Sequence, residues 1–147
     1  MACLLAIVMT FLISCGSPTV KKPPSYTAEQ IEQIQKLAST VSDLRDKMPI
    51  LADKIQNRNW TDVGTYMHGP MGELRRTVSY LTRELLPDDQ KAAREVAKDL
   101  FSRLDTIDIA SAKGNYQVAS QNYRAALKDF DELLQRVPGQ QRSGVSG

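Results

Sequence analysis

Apolar residues recur at steps of three or four along four successive stretches of this 147-residue chain. Such steps place side chains on one face of an α-helix, whereas strands alternate at two. The first stretch carries Ile31, Ile34, Leu37, Val41, Leu44, Met48, Leu51 and Ile55. It opens on Thr27-Ala28-Glu29-Gln30, which predicts a capping box with Thr27 as N-cap. Pro49 falls inside the stripe without shifting its register, so the spacing predicts one long kinked helix rather than two. The second stretch carries Trp60, Val63, Met67, Met71, Leu74, Val78, Leu81 and Leu85, with Asn59 as predicted N-cap. Gly69-Pro70 interrupts it in register, and Pro87 ends it. The third begins at Asp88-Asp89, whose charge suits a helix N-terminus, and runs through Ala93, Val96, Leu100, Leu104 and Ile107. Gly114-Asn115 marks a turn. The fourth holds Tyr116, Ala119, Tyr123, Leu127, Phe130, Leu134 and Val137, and stops at Pro138-Gly139.

The four stretches are each roughly 22 to 29 residues long, or about 33 to 44 Å at the helical rise. Short connections between helices of similar length give antiparallel neighbours. The expected fold is therefore all-α: an up-down-up-down four-helix bundle over residues 27–138, with an extended N-terminal spacer. Residues 139–147 have no apolar pattern and are expected to be a disordered tail.

The chain before the bundle reads differently. Leu4 to Ile13 is an uncharged apolar run, about half the ~20 residues a membrane-spanning helix needs. It is followed by Ser14-Cys15-Gly16. An apolar core ending at a small residue is the pattern of a secretory signal. Leu12-Ile13-Ser14-Cys15-Gly16 further resembles the lipobox of bacterial lipoproteins, which implies cleavage after residue 14 and acylation of Cys15. Two or more acyl chains anchor a protein stably where one is marginal. Met1-Ala2-Cys3 lacks the basic residues that open a signal peptide, and a start upstream of Met1 would restore them. Residues 15–26 then form the lipidated cysteine and a spacer, in which Pro23-Pro24 favours extended geometry.

Composition narrows the function. The formal net charge is +2 and no block of like charge occurs, which gives no basis for nucleic-acid binding. Both cysteines lie in the leader or at the lipidation point, so the bundle has no thiol for a disulfide, a metal site or nucleophilic catalysis. His68 is the single histidine, which makes it a weak metal candidate at best, completed by a neighbouring carboxylate. No phosphate-binding loop or nucleophile elbow is present, and Glu-x-x-His is absent. Asp88-Asp89 and Asp129-Asp131-Glu132 fit a helix N-terminus and a solvated face. No catalytic residue and no cofactor is expected. Trp60 reads as a core residue at one end of the bundle, and Tyr66, Tyr80, Tyr116 and Tyr123 read as covers for the core edges. Arg75, Arg76 and Arg83 form a basic strip. Solvated pairing with Glu73 and Glu84, or docking on an acidic protein surface, would each account for it.

His68-Gly69-Pro70 is the most unusual local feature, because a proline inside a regular helix costs about 3 kcal/mol. With Asn59-Trp60-Thr61-Asp62-Val63 before it and Met71-Gly72-Glu73-Leu74-Arg75 after it, this block resembles the PsbQ family, and in particular its cyanobacterial lipoprotein branch. The resemblance covers residues 15 to about 138 in outline. It implies a non-enzymatic extrinsic subunit of photosystem II on the lumenal face of the thylakoid membrane. Such a subunit supports the oxygen-evolving complex and its assembly or dimer. Its partners would be photosystem II core subunits and other extrinsic subunits, with the membrane reached through the N-terminal lipid. The expected partner-binding residues are His68, Gly69, Pro70, Glu73, Arg75 and Arg76, with Trp60 structural. The residues alone reach less far. They leave open a periplasmic lipid-anchored interaction protein of an envelope complex.

Overall fold

A computed structural model describes residues 24–139. The predicted signal peptide, Cys15, most of the spacer and the tail beyond Gly139 lie outside the described residues. Within them the chain is helical, with no strand. Six segments occur: α1 (Ala28–Asp46), α2 (Met48–Gln56), α3 (Trp60–His68), α4 (Pro70–Glu84), α5 (Pro87–Ala112) and α6 (Tyr116–Gln135). One residue separates α1 from α2 and one separates α3 from α4, so the six segments join into four rods. These pack as α1 on α4, α2 on α3 and α6, α3 and α4 on α5, and α5 on α6, an arrangement consistent with a bundle. No helix among the described residues is long and apolar enough to cross a membrane.

The capping box forms as expected: Gln30 N–H donates to Thr27 Oγ1 at 3.2 Å, and Thr27 N–H donates to Gln30 Oε1 at 3.0 Å. Just before it, Tyr26 ties the spacer to the bundle. Its hydroxyl donates to the Asp89 carboxylate and accepts the Leu86 N–H at 3.0 Å, which satisfies a donor at the start of α5.

Pro49 divides the first rod rather than only kinking it. It has no N–H, and its ring crowds the carbonyl four residues back, so α1 ends at Asp46 and α2 starts at Met48. Lys47 between them keeps right-handed helical geometry (φ −86°, ψ −5°), which is why the apolar stripe stays in register. At the second break Gly69 leaves the helical region (φ −92°, ψ −100°), while Pro70 begins α4 at a position where its missing N–H has no consequence. A Cβ on Gly69 would lie 3.0 Å from the Thr65 carbonyl oxygen.

Two helices end in the same backbone motif. After α5, Gly114 (φ +64°) lets Asn115 N–H reach Ala110 O at 2.8 Å and Gly114 N–H reach Ser111 O at 3.0 Å. After α2, Arg58 takes the corresponding left-handed position (φ +53°), with Asn59 N–H on Lys54 O at 2.9 Å and Arg58 N–H on Ile55 O at 3.0 Å. Arg58 lies over the Tyr116 ring, 5.4 Å from its centroid. Asn59 occupies the predicted cap position of α3, yet its side chain makes no capping bond. Its amide donates to Asp62 Oδ2 at 2.8 Å instead.

The core follows the stripes of the second and third rods closely. Val63, Met67, Met71, Leu74, Val78, Leu81 and Leu85 are buried, as are Ala93, Val96, Leu100, Leu104 and Ile107. The fourth stripe is displaced. Ala126 and Leu133 are fully buried, Leu127 and Leu134 only in part, and Tyr116 at the bundle end is exposed. The reason is that α6 packs against α5 on one side and against α1 and α2 on the other, which centres its buried face differently. Tyr80 is also exposed, at 49%, rather than covering a core edge. Between α5 and α6, Asp129 is pushed above the usual carboxylate range by burial. Its Oδ2 has no hydrogen-bond partner, and Arg103 Nε stands 3.8 Å away.

Candidate partner-binding site

The residues expected to bind a partner sit at the α3–α4 break and on the first two turns of α4, and the structure distributes them over three faces. His68 ends α3 and points to α5, where its Nε2 lies 3.1 Å from Asp108 Oδ2, an ion pair when the imidazole is protonated. Its side chain is 76% exposed, so this contact leaves the ring available to solvent. Two helical turns on, Arg75 also faces α5. It donates to Asp105 Oδ1 at 3.0 Å, and its guanidinium lies 4.5 Å from the centroid of the Phe101 ring. A guanidinium stacked on a ring is attracted by the ring's quadrupole and is held in orientation. His68 and Arg75 thus line one cavity of about 200 Å³ with Met71, Gly72, Phe101, Asp105 and Asp108.

Glu73 and Arg76 face outward and pair with each other at 3.2 Å. Both are exposed, and a pair of this kind contributes little to stability, about 0–1 kcal/mol. Pro70 turns to the remaining side, where it lines a separate cleft with Lys54, Asp62, Thr65 and Tyr66. Gly69 carries no side chain and shapes the break between these faces. Trp60 is partly buried against the core at the far end, where a Cβ added to Gly114 would meet its indole Nε1 at 3.5 Å. The indole therefore packs beside the α5–α6 turn.

The acidic partners on α5 have no counterpart in the expectations drawn from the sequence. Phe101, Asp105 and Asp108 follow one another at steps of four and three, so they share a face one position away from the buried Leu100, Leu104 and Ile107. That second stripe is visible in the sequence, but its pairing with Arg75 and His68 needs the packing of α3 and α4 on α5. Among the described residues no three His, Cys, Asp or Glu side chains are grouped to hold a metal ion. His68 has one carboxylate beside it, which falls short of a tetrahedral site.

Residues 10–138 match the PsbQ family, described as oxygen evolving enhancer protein 3. This chain belongs to the PsbQ family. It is also similar to CyanoQ of Synechocystis sp. (strain ATCC 27184 / PCC 6803 / Kazusa), with 40% identity over 136 residues, covering 92% of this chain and 91% of that one. The PsbQ match takes in all six helices and the block from Asn59 to Arg75 that carried the resemblance.

Proposed function

We propose that this chain is a non-enzymatic extrinsic subunit of photosystem II that stabilises the oxygen-evolving complex and its assembly or dimeric form. It is held on the lumenal side of the thylakoid membrane by lipid on Cys15. The family match over residues 10–138 carries this reading, since a PsbQ protein is a structural component of the oxygen-evolving complex. The identity to CyanoQ along nearly the whole of both chains supports the cyanobacterial lipoprotein branch.

The rods run up-down-up-down. Support comes from cross-links that rise in number along one rod and fall along its neighbour: His68 with Asp108, then Arg75 with Asp105. Docking uses the break and the start of α4, through His68, Gly69, Pro70, Glu73, Arg75 and Arg76, with Trp60 holding the far end together. The lipid confines the chain to the membrane surface and raises its effective concentration there, so the protein contact itself can be weak.

The test is recovery of C-terminally tagged protein from gently solubilised membranes of the native host, with partners identified by mass spectrometry. Photosystem II core subunits are the expected partners, and charge reversal at Arg75 and Arg76 lowers their yield. Recovery of envelope transport proteins without photosystem subunits would overturn the proposal. The mass of the N-terminal peptide reads acylation of Cys15 directly.

A further inference from the structure

A long groove lies between α4 and α5, beside the cavity that holds His68 and Arg75. It has a volume of about 670 Å³ and runs from Thr82 and Arg94 at one end to Arg75 and Ile109 at the other. Along α5 that is a trough of about 22 Å at the helical rise. About six to seven extended residues span such a length.

Its walls are chemically uneven. Val78, Ala97 and Phe101 form an apolar floor, and Ile109 stands 55% exposed at the rim. Arg94, Lys98 and Arg75 supply three cations. Asp105 is the one carboxylate of the lining, and Arg75 already engages it. Among the described residues neither Arg94 nor Lys98 forms an ion pair. The groove therefore holds two unneutralised cations, one helical turn apart on α5, over an apolar floor.

We propose that the α4–α5 groove is a docking site for an acidic, amphipathic segment of a partner protein. Its carboxylates meet Arg94 and Lys98, and an apolar side chain covers Phe101 and Ile109. Charge complementarity selects the occupant, which must bring anions to Arg94 and Lys98 and apolar surface to the floor. This inference rests on the reading of the chain as an extrinsic subunit and names the chemistry of its partner. The contacts to Arg94, Lys98, Phe101 and Ile109 lie outside the α3–α4 block, which meets the groove at Arg75.

The experiment uses the full-length chain purified from its native host and photosystem II core complexes from a strain lacking it. Binding is measured at low and high salt for the wild type, for Arg94→Glu with Lys98→Glu, and for Ile109→Asp. All three positions are at the surface, and an unchanged helical circular dichroism spectrum verifies the fold. The double reversal weakens binding about tenfold at low salt, and the difference shrinks at high salt as exposed charges are screened. Ile109→Asp weakens it as well. A photo-reactive residue at Ser102 cross-links to a stretch of partner rich in Asp and Glu. Equal binding of wild type and double variant overturns the groove and leaves the extrinsic-subunit reading standing. Cross-links to lipid, or to a stretch without carboxylates, also overturn the groove. A wild type that does not bind core complexes overturns the extrinsic-subunit reading, and the groove with it.

Discussion

The hydroxyl of Tyr66 donates to the carbonyl oxygen of Lys47 at 2.8 Å, which ties the two helix breaks to each other. Lys47 is the residue at which the first rod is divided, and Tyr66 lies one turn before Gly69-Pro70 in the second. Both breaks therefore sit at one level of the bundle, while α5 and α6 run past them unbroken. Tyr66 is buried, and burial pushes its phenol above the ordinary range, so it stays a neutral donor. Tyr66→Phe should lower stability by about 1 kcal/mol, the net worth of one such bond. Urea unfolding measures it. Amide exchange should quicken most near Lys47 and Ile50, and an even increase along all rods would contradict the assignment.

Gly69 should resist substitution. The 3.0 Å approach of the Thr65 carbonyl leaves poor space for a Cβ. Gly69→Ala is expected to cost about 1–3 kcal/mol, as forcing an extra methyl into a tight contact does. A thermal midpoint equal to that of wild type would show that the break relaxes freely.

Tyr26→Phe deletes both bonds that hold the spacer to the α4–α5 turn. The Leu86 N–H is then left without its partner, a loss of about 1 kcal/mol. The more sensitive readout is limited proteolysis. Cleavage next to residue 26 should accelerate well before global unfolding. An unchanged cleavage rate would place the spacer's attachment elsewhere.

Asp129 gives a pH signature of defined sign. Burial raises its pKa first of all, Arg103 opposes the shift, and Asp99 and Glu132 add to it. The folded state then holds the proton more tightly than the unfolded chain does. Its contribution to stability is greatest below the unfolded pKa and is lost as pH rises through the raised folded value. Asp129→Asn removes the buried charge. The variant should exceed wild type in stability near neutral pH, and the gap should close as pH falls through the carboxylate range. A gap of the same size at both ends would rule out titration of Asp129 as its source.

Much of this fold was legible in the sequence because short-range patterns dictate it. The Thr27–Gln30 box, the stripes from Val63 to Leu85 and from Ala93 to Ile107, and the Gly114 turn all depend on residues within a few positions of one another. What was not legible depends on packing. Tyr116 fits an apolar period and Tyr80 reads as a cover for a core edge, yet the bundle end and the outer face of α4 leave them exposed. Lys47 looks like any surface lysine, and its role as a break follows from Pro49 two positions later. The Arg45–Asp131 pair, held by two bonds at 2.8 and 3.1 Å, joins residues 86 positions apart and has no local signal. At the candidate site the sequence pointed to His68 and Arg75. It did not supply Asp108, Asp105 and Phe101, which face them only once α3 and α4 lie on α5.

The bond from Tyr26 to the α4–α5 turn also sets a lever. It fixes the point where the chain departs toward residue 15 at one corner of the bundle rather than on its long axis. Ten residues lie between Cys15 and Tyr26, so eleven steps along the chain join them. At the polyproline rise of about 3.1 Å per residue, this leash of eleven steps spans at most about 34 Å. The 26-residue α5 is about 39 Å long, so the arm is slightly longer than the leash that holds it. With a lipid on Cys15, the end at Tyr26 would stay within the leash's reach of the membrane, and the end bearing Trp60 and Gly114 would sweep a wider arc. The anchor then fixes proximity to the membrane and leaves orientation to whichever helical face meets a partner first.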